Sequence, residues 1–161
     1  MNKEELRALY RQIRSRMSRS EVSSKSRIIG RRLLNEVEWN NFPKICVFEP
    51  IEELNEVDIN GVISRLKAQR RDVELMPKIS GAAMPKKKFD LIIVPCLAFD
   101  RQIYRLGWGG GFYDKFLANQ PQALKIGVCF ENGLAENGLP REPHDIPLDY
   151  IVTESQGLAV K

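Results

Sequence analysis

An α/β domain on a mostly parallel sheet is the fold class the sequence predicts. Stretches of helical periodicity alternate along the chain with short apolar runs, the pattern of helices returning a chain between parallel strands. One run, Asp90–Val94 (DLIIV) before Pro95, is apolar without a break after its first residue, as in a strand buried on both faces. The length of 161 residues matches about one domain of ~150 residues, large enough to bury a core and a pocket without disulfides. Residues 1–161 are therefore expected to form a single domain.

The elements follow in order. Leu6, Leu9, Tyr10, Ile13 and Met17 recur at helical spacing and predict a helix over residues 3–17. Lys3, Arg7, Arg11 and Arg14 form a cationic stripe beside that apolar face. Ser18 with Glu21 reads as a capping box opening a second helix, whose inner side is Val22, Ile29, Leu33 and Val37. Lys44–Glu49 predicts a strand stopped by Pro50, and residues 57–70 a third helix with Val62, Ile63 and Leu66 inward. Val73–Met76, Asp90–Val94, Leu124–Phe130 and Tyr150–Thr153 predict the other strands. The run Lys86–Lys88 marks an exposed turn.

Composition excludes several classes. With 43% hydrophobic and 29% charged residues the chain is ordinary for a soluble globular protein and too apolar for a disordered one. No apolar run approaches the ~18 residues of a membrane span, and residues 1–17 lack the apolar core of a signal peptide. Cys46, Cys96 and Cys129 form no CxxC pair, which fits a reducing cytoplasm and excludes a zinc ribbon. One histidine, His144, excludes a His-rich metal site. The net charge of +4 is uneven: residues 1–32 hold 10 Lys and Arg against 3 Glu, so the basic excess is N-terminal. Such a segment suits nucleic acid, an anionic membrane or a phosphorylated small molecule, or is a solvated helix face.

Chemistry concentrates between Asp90 and Leu117. After the buried strand come Gly107, Gly109, Gly110 and Gly111, then a helix with Phe112, Phe116 and Leu117. Ligands in α/β sheets bind beyond the carboxyl ends of strands, and glycines let backbone N–H groups approach a phosphate. The N-terminus of the next helix favours an anion, and Arg105 can clamp one. GxxxxGK[ST] is absent, and GxGxxG fails at Phe112, so by glycine content alone the stretch is as well read as a turn. Asp114 can hold Mg²⁺ on phosphates or simply favour the helix end. A second carboxylate group lies in Pro143–Asp149 (PHDIPLD), where Asp145 is the residue expected to share that metal. Neighbouring His144 can ligate, act as a base or hydrogen-bond the loop. No serine sits on a strand-to-helix elbow, which excludes a Ser-His-Asp hydrolase.

RLGWGGGFYD (Arg105–Asp114), with IVPCLAFD before it and EPHDIPLDYIVTE after it, resembles the 5-formyltetrahydrofolate cyclo-ligase family. Lys3-x-x-Leu6-Arg7 and Asn55-Glu56-Val57-Asp58 are also similar to its motifs. The resemblance implies a three-layer α/β/α domain in the cytoplasm and the ATP- and Mg²⁺-dependent cyclisation of 5-formyltetrahydrofolate to 5,10-methenyltetrahydrofolate. It implies that Lys3, Arg7 and the loop Arg105, Leu106, Gly107, Trp108, Gly109, Gly110, Gly111, Phe112 and Tyr113 hold ATP. Arg105 and Asp114 would carry catalysis, Asp114 and Asp145 would bind Mg²⁺, and Glu56, Trp108 and Phe112 would face the folate. The small-molecule substrate would be the one partner, with no nucleic acid or membrane, and the chain would be a monomer. The alternative is a nucleotide- or nucleic-acid-binding α/β domain without turnover. Cys96 and Ile103 stand where the family pattern has glycine, which implies a stiffer loop. The stretch Met76–Phe89 is short for the family by about two dozen residues, which implies a thinner wall and weaker binding for the folate.

Overall fold

The structure, a computed structural model, describes residues 1–77 and 84–159. Helix α1 spans Lys3–Ser15 and opens on a capping box: the Asn2 side chain accepts from Glu5 N, and the Glu5 carboxylate accepts from Asn2 N, each at 2.8 Å. It ends two residues before the periodicity does. There the Asn55 side-chain amide donates to the carbonyls of Arg14 and Met17, at 3.0 and 3.1 Å, and satisfies the groups a longer helix would have used. Helix α2 spans Arg19–Glu36, with the Ser18 hydroxyl accepting from Glu21 N at 3.0 Å. The Glu21 carboxylate pairs with Lys25 at 3.2 Å, so half of the expected box is formed.

Strands β1 (Lys44–Phe48) and β2 (Asp72–Met76) flank helix α3, which is shorter than expected, Asn60–Ala68. Its start is set by Asp58, whose carboxylate accepts from Asn60 N at 2.9 Å. Strand β3 (Leu91–Pro95) is buried at every position, as its composition predicts. A small hairpin follows, β4 (Ala98–Phe99) antiparallel to β5 (Arg105–Leu106). Then come α4 (Phe112–Ala118), β6 (Leu124–Val128), β7 (Tyr150–Val152) and β8 (Gly157–Ala159). The hairpin and β8 have no counterpart in the sequence reading.

The six-stranded sheet runs β2-β1-β3-β6-β7-β8, parallel except for the β7–β8 pair. Side chains alternate across it. Ile45, Val47, Leu91 and Ile93 pack with Ile29 and Leu33 of α2 and Val62 and Leu66 of α3. On the other face Cys46, Ile92, Val94 and Ile151 meet Phe116 and Leu117 of α4. These are the three layers of an α/β/α sandwich. Helix α1 covers the hairpin, with Tyr10 against Leu97, Ala98, Leu106, Ala135 and Leu139.

The chain leaves β1 toward β2 on one side and returns as β3 on the other, so the strand order reverses at β1. Pairing weakens at that seam. Strand β1 matches β2 from Lys44–Asp72 to Phe48–Met76, and β3 matches β6 along its whole length. Between β1 and β3 only Ile45–Leu91 and Cys46–Ile92 are ladder partners, so the hydrogen-bonded register stops short of the carboxyl ends. Open α/β sheets bind ligands at this kind of reversal. Residues 78–83, inside the stretch read as short, lie outside the described residues.

Candidate active site

A cleft of about 580 Å³ opens over the carboxyl ends of β1, β2 and β3. Phe48 at the end of β1 with Glu49 after it, Met76 at the end of β2 with Pro77 after it, and Pro95 of β3 line it from the sheet. Lys3 and Arg7 of α1 stand on one side, Arg105 and residues 107–114 on another, and Glu142 and His144 at the rim. Most residues expected from the sequence meet here: Lys3, Arg7, Glu56, Arg105, Gly107, Trp108, Gly109, Gly110, Gly111, Phe112, Tyr113 and Asp114. Two expected residues do not line it. Leu106 is buried in the α1–hairpin cluster, and Asp145 lies behind Lys3.

The glycines have two physical reasons. Gly109, Gly110 and Gly111 have φ of 116°, 88° and 66°, a region that L side chains rarely adopt. Gly107 has an ordinary backbone, but a Cβ there would lie 2.5 Å from Arg105 Nη2. Its missing side chain makes room for the guanidinium. That group is planted: Arg105 Nε donates to Pro95 O at 3.2 Å, and the guanidinium lies 5.2 Å from the centre of the Tyr113 ring. Phe112 and Tyr113 meet edge to face at 5.6 Å.

The cations of α1 do not form a solvated face. Lys3 and Arg7 side chains are 17% and 16% exposed. Arg7 Nε donates to Gly107 O at 3.1 Å while its guanidinium pairs with Glu4. Arg11 donates to Trp108 O and lies over the indole. Arg14 is only 2% exposed and leaves the stripe altogether: it donates to Cys96 O at 3.0 Å, Leu97 O at 3.2 Å and Asn55 O at 3.3 Å. Arg7 and Arg11 thus hold the glycine loop, and Arg14 the residues just after β3, through their backbone carbonyls.

Carboxylates gather on two sides. Lys3 Nζ donates to both Asp145 oxygens, at 2.8 and 2.7 Å. Burial raises the Asp145 carboxyl, but the Lys3 hydrogen bond, the Glu142 N–H and the Lys3 and His144 charges outweigh it and leave the group below its ordinary value. Asp114 Oδ1 accepts from Ile146 N at 3.3 Å, which brings it to the residue next to Asp145. No group of three or more His, Cys, Asp or Glu side chains that could hold a metal ion occurs among the described residues. At the opposite end, Glu49 and the buried Glu56 share the cleft wall with Phe48, Ile51, Leu54 and Met76. Glu56 Oε2 accepts from Ile51 N at 3.0 Å. Exposed His144 places Nε2 3.0 Å from Glu142 Oε2.

The cysteines are buried, and burial pushes the Cys96 thiol up to about 11 and those of Cys46 and Cys129 to about 12. Cys96 fits because Gly127 leaves space: a Cβ there would come 2.9 Å from its sulfur.

Residues 77–154 match the model of the 5-formyltetrahydrofolate cyclo-ligase family. The chain resembles that family over this stretch, which is just under half of its length. The matched stretch runs from the end of β2 to just beyond β7, so it holds the glycine loop, Asp114 and Asp145. The 5-formyltetrahydrofolate cyclo-ligase of Escherichia coli is 36% identical over 97 residues, 59% of this chain and 50% of that protein. The chain thus matches about half the length of the curated relatives first found. Two solved structures extend the likeness over nearly all of it. The 5,10-methenyltetrahydrofolate synthetase of Mycoplasma pneumoniae superposes with a TM-score of 0.80 at 26% identity, over 96% of this chain and 99% of that one. The synthetase of Aquifex aeolicus gives 0.81 at 28%, over 99% and 93%. Near-complete mutual coverage means that the Mycoplasma protein has no additional segment of two dozen residues relative to this chain.

Proposed function

We propose that the protein, acting as a single-domain cytoplasmic monomer, catalyses the ATP- and Mg²⁺-dependent cyclisation of 5-formyltetrahydrofolate to 5,10-methenyltetrahydrofolate, releasing ADP and phosphate. The observation that carries the reading is the polarity of the cleft. Lys3, Arg7, Arg105 and the glycine loop, which carries Trp108 and Phe112, line one part of the cleft, and Glu49 and the buried Glu56 line the opposite end with Phe48, Ile51, Leu54 and Met76. A polyphosphate suits the first side and a flat heterocycle rich in N–H donors the second.

A formamide carbon is a poor electrophile, and its oxygen a poor leaving group. Attack of the formyl oxygen on the γ-phosphate answers both difficulties, after which N10 closes on the activated carbon and phosphate departs. Such chemistry is mostly positioning and charge neutralisation. Arg105, fixed by Pro95 O and the Tyr113 ring, has its direction set before any phosphate arrives. Lys3 and Arg7 reach the same cleft from the first two turns of α1. Trp108 and Phe112 offer faces for stacking, and Glu56 an acceptor for ring N–H groups.

Asp114 and Asp145 suit Mg²⁺, which is commonly held by one or two carboxylates together with phosphate oxygens and water. The ammonium already seated on both Asp145 oxygens supports a cation at that place. When bound, the metal would neutralise charge on the phosphates. A nucleic-acid surface is less well supported, because the cations it would use are turned onto backbone carbonyls.

The test is absorbance of the methenyl product with purified protein, ATP and Mg²⁺. Conversion requiring both additions is expected. Turnover undiminished by a chelator, or without nucleotide, would overturn the reading.

A further inference from the structure

We propose that Lys3 is the resting counter-ion of Asp145, and that filling the cleft exchanges partners: the divalent cation takes Asp145, and the triphosphate takes Lys3. This role rests on the ATP- and Mg²⁺-dependent reaction proposed above. The ammonium meets both carboxylate oxygens at 2.8 and 2.7 Å, with side chains 17% and 10% exposed. The capping box at Asn2 and Glu5 fixes the helix turn that carries Lys3, so the pair is built rather than incidental. Glu142 also stands 3.9 Å from the ammonium and gives its N–H to Asp145.

A half-buried pair resists losing one member, because the other is left as an uncompensated charge. A cation arriving alone must push Lys3 aside. A nucleotide arriving alone draws Lys3 away and leaves Asp145 bare beside phosphates. Arriving together, they leave every charge paired. Cation and nucleotide therefore strengthen each other's binding, and by linkage each does so by the same factor. The direct contact of a metal with ATP phosphates adds to this; the exchange of partners belongs to the protein.

The test uses Mn²⁺ alone, with no nucleotide, followed through the paramagnetic resonance of the free ion. Lys3→Met is expected to bind Mn²⁺ at least tenfold more tightly than wild type, and adding Asp145→Asn to it is expected to abolish the gain. In a second arm, metal-free ATP is titrated calorimetrically in the presence of a chelator. Asp145→Asn is expected to bind it at least tenfold more tightly than wild type. Unchanged or weaker Mn²⁺ binding by Lys3→Met overturns the proposal, as does a gain that survives Asp145→Asn. If Lys3→Met does not fold, the ATP arm decides, and unchanged or weaker affinity there overturns the proposal. Wild-type turnover of 5-formyltetrahydrofolate separates the two levels. Turnover with negative binding arms removes only the exchange, whereas positive arms without turnover remove the proposed reaction and leave the exchange standing.

Discussion

Ile103 has a φ of 57° and is 1% exposed, a left-handed backbone on a buried β-branched residue. The turn is held by Asp100, whose carboxylate accepts from Gln102 N at 3.0 Å and Tyr104 N at 3.1 Å, and by Leu148 N donating to Ile103 O at 3.0 Å. Such strain costs about 1–3 kcal/mol and persists only where surroundings enforce it. Truncation therefore has an unusual order. Ile103→Ala loses buried methyl groups and keeps the strain, at about 2–4 kcal/mol. Ile103→Gly loses slightly more packing but releases the backbone, so its urea midpoint should be no lower than that of the alanine variant. A glycine variant clearly less stable than alanine would show that the turn is unstrained. The resemblance to the cyclo-ligase pattern implied a glycine at position 103; the sign of φ came only with the fold.

Asp145 gives a pH dependence. Its carboxyl titrates below the ordinary value, so the folded state binds its proton less readily than the unfolded chain does. The stability this contributes is fully present above the unfolded value of about 3.9 and is lost as pH falls through the lower folded value. The stability gap between wild type and Asp145→Asn, measured by urea unfolding, should narrow as pH is lowered from about 5 into that window. A gap constant with pH would mean that the Lys3 pair does not perturb the carboxyl.

At the level of elements, helix α1 behaves as a bracket. Arg14 ties it to the carbonyls of Cys96, Leu97 and Asn55, and Asn55 returns the favour by capping its last turn. Arg14→Met leaves buried carbonyls without donors and should cost about 2–4 kcal/mol in a denaturant titration, at ~1–3 kcal/mol for each unmet group. Arg14→Lys should recover little, because one ammonium cannot span the three carbonyls that a planar fork reaches. A loss below about 0.5 kcal/mol would mean that α1 is held by its apolar face alone. Periodicity and apolar runs located α1, α2 and strands β1, β2, β3, β6 and β7 to within a few residues, because they report which side chains face the core. They could not foresee where α1 stops, since Asn55 lies 40 residues after Ser15 in the chain. Strands of two residues, such as β4 and β5, carry too little alternation to be read at all.

Across the whole molecule, the cleft exists because the strand order reverses at β1. Local pattern does not encode that order. This is why Glu49, Ile51, Leu54 and Met76 were not foreseen on the cleft wall while the glycine loop, a contiguous motif, was. The same locality misled over Arg14: its spacing placed it with Lys3 and Arg7, but its tertiary partners are the residues just after β3 and the turn at Asn55. Spacing along a helix gives the face of a side chain, not what covers that face.

The short register between β1 and β3 also has a kinetic meaning. A sheet paired at only two positions beside fully paired neighbours has a line along which it opens most readily. Backbone amides of Val47–Glu49 and of Ile93 and Val94 border that line, and solvent deuterium should reach them sooner than it reaches Ile126–Val128. A ligand bridging the cleft joins the two banks, so the slowing of exchange on adding ATP and Mg²⁺ should be concentrated at these amides. Uniform slowing across all strands would instead mean that the sheet opens as one unit. With the seam as hinge, β2, β1 and α3 would move as one leaf and β3, β6 and β7 as the other, and the width of the cleft would be set by the backbone of the sheet rather than by the loops above it.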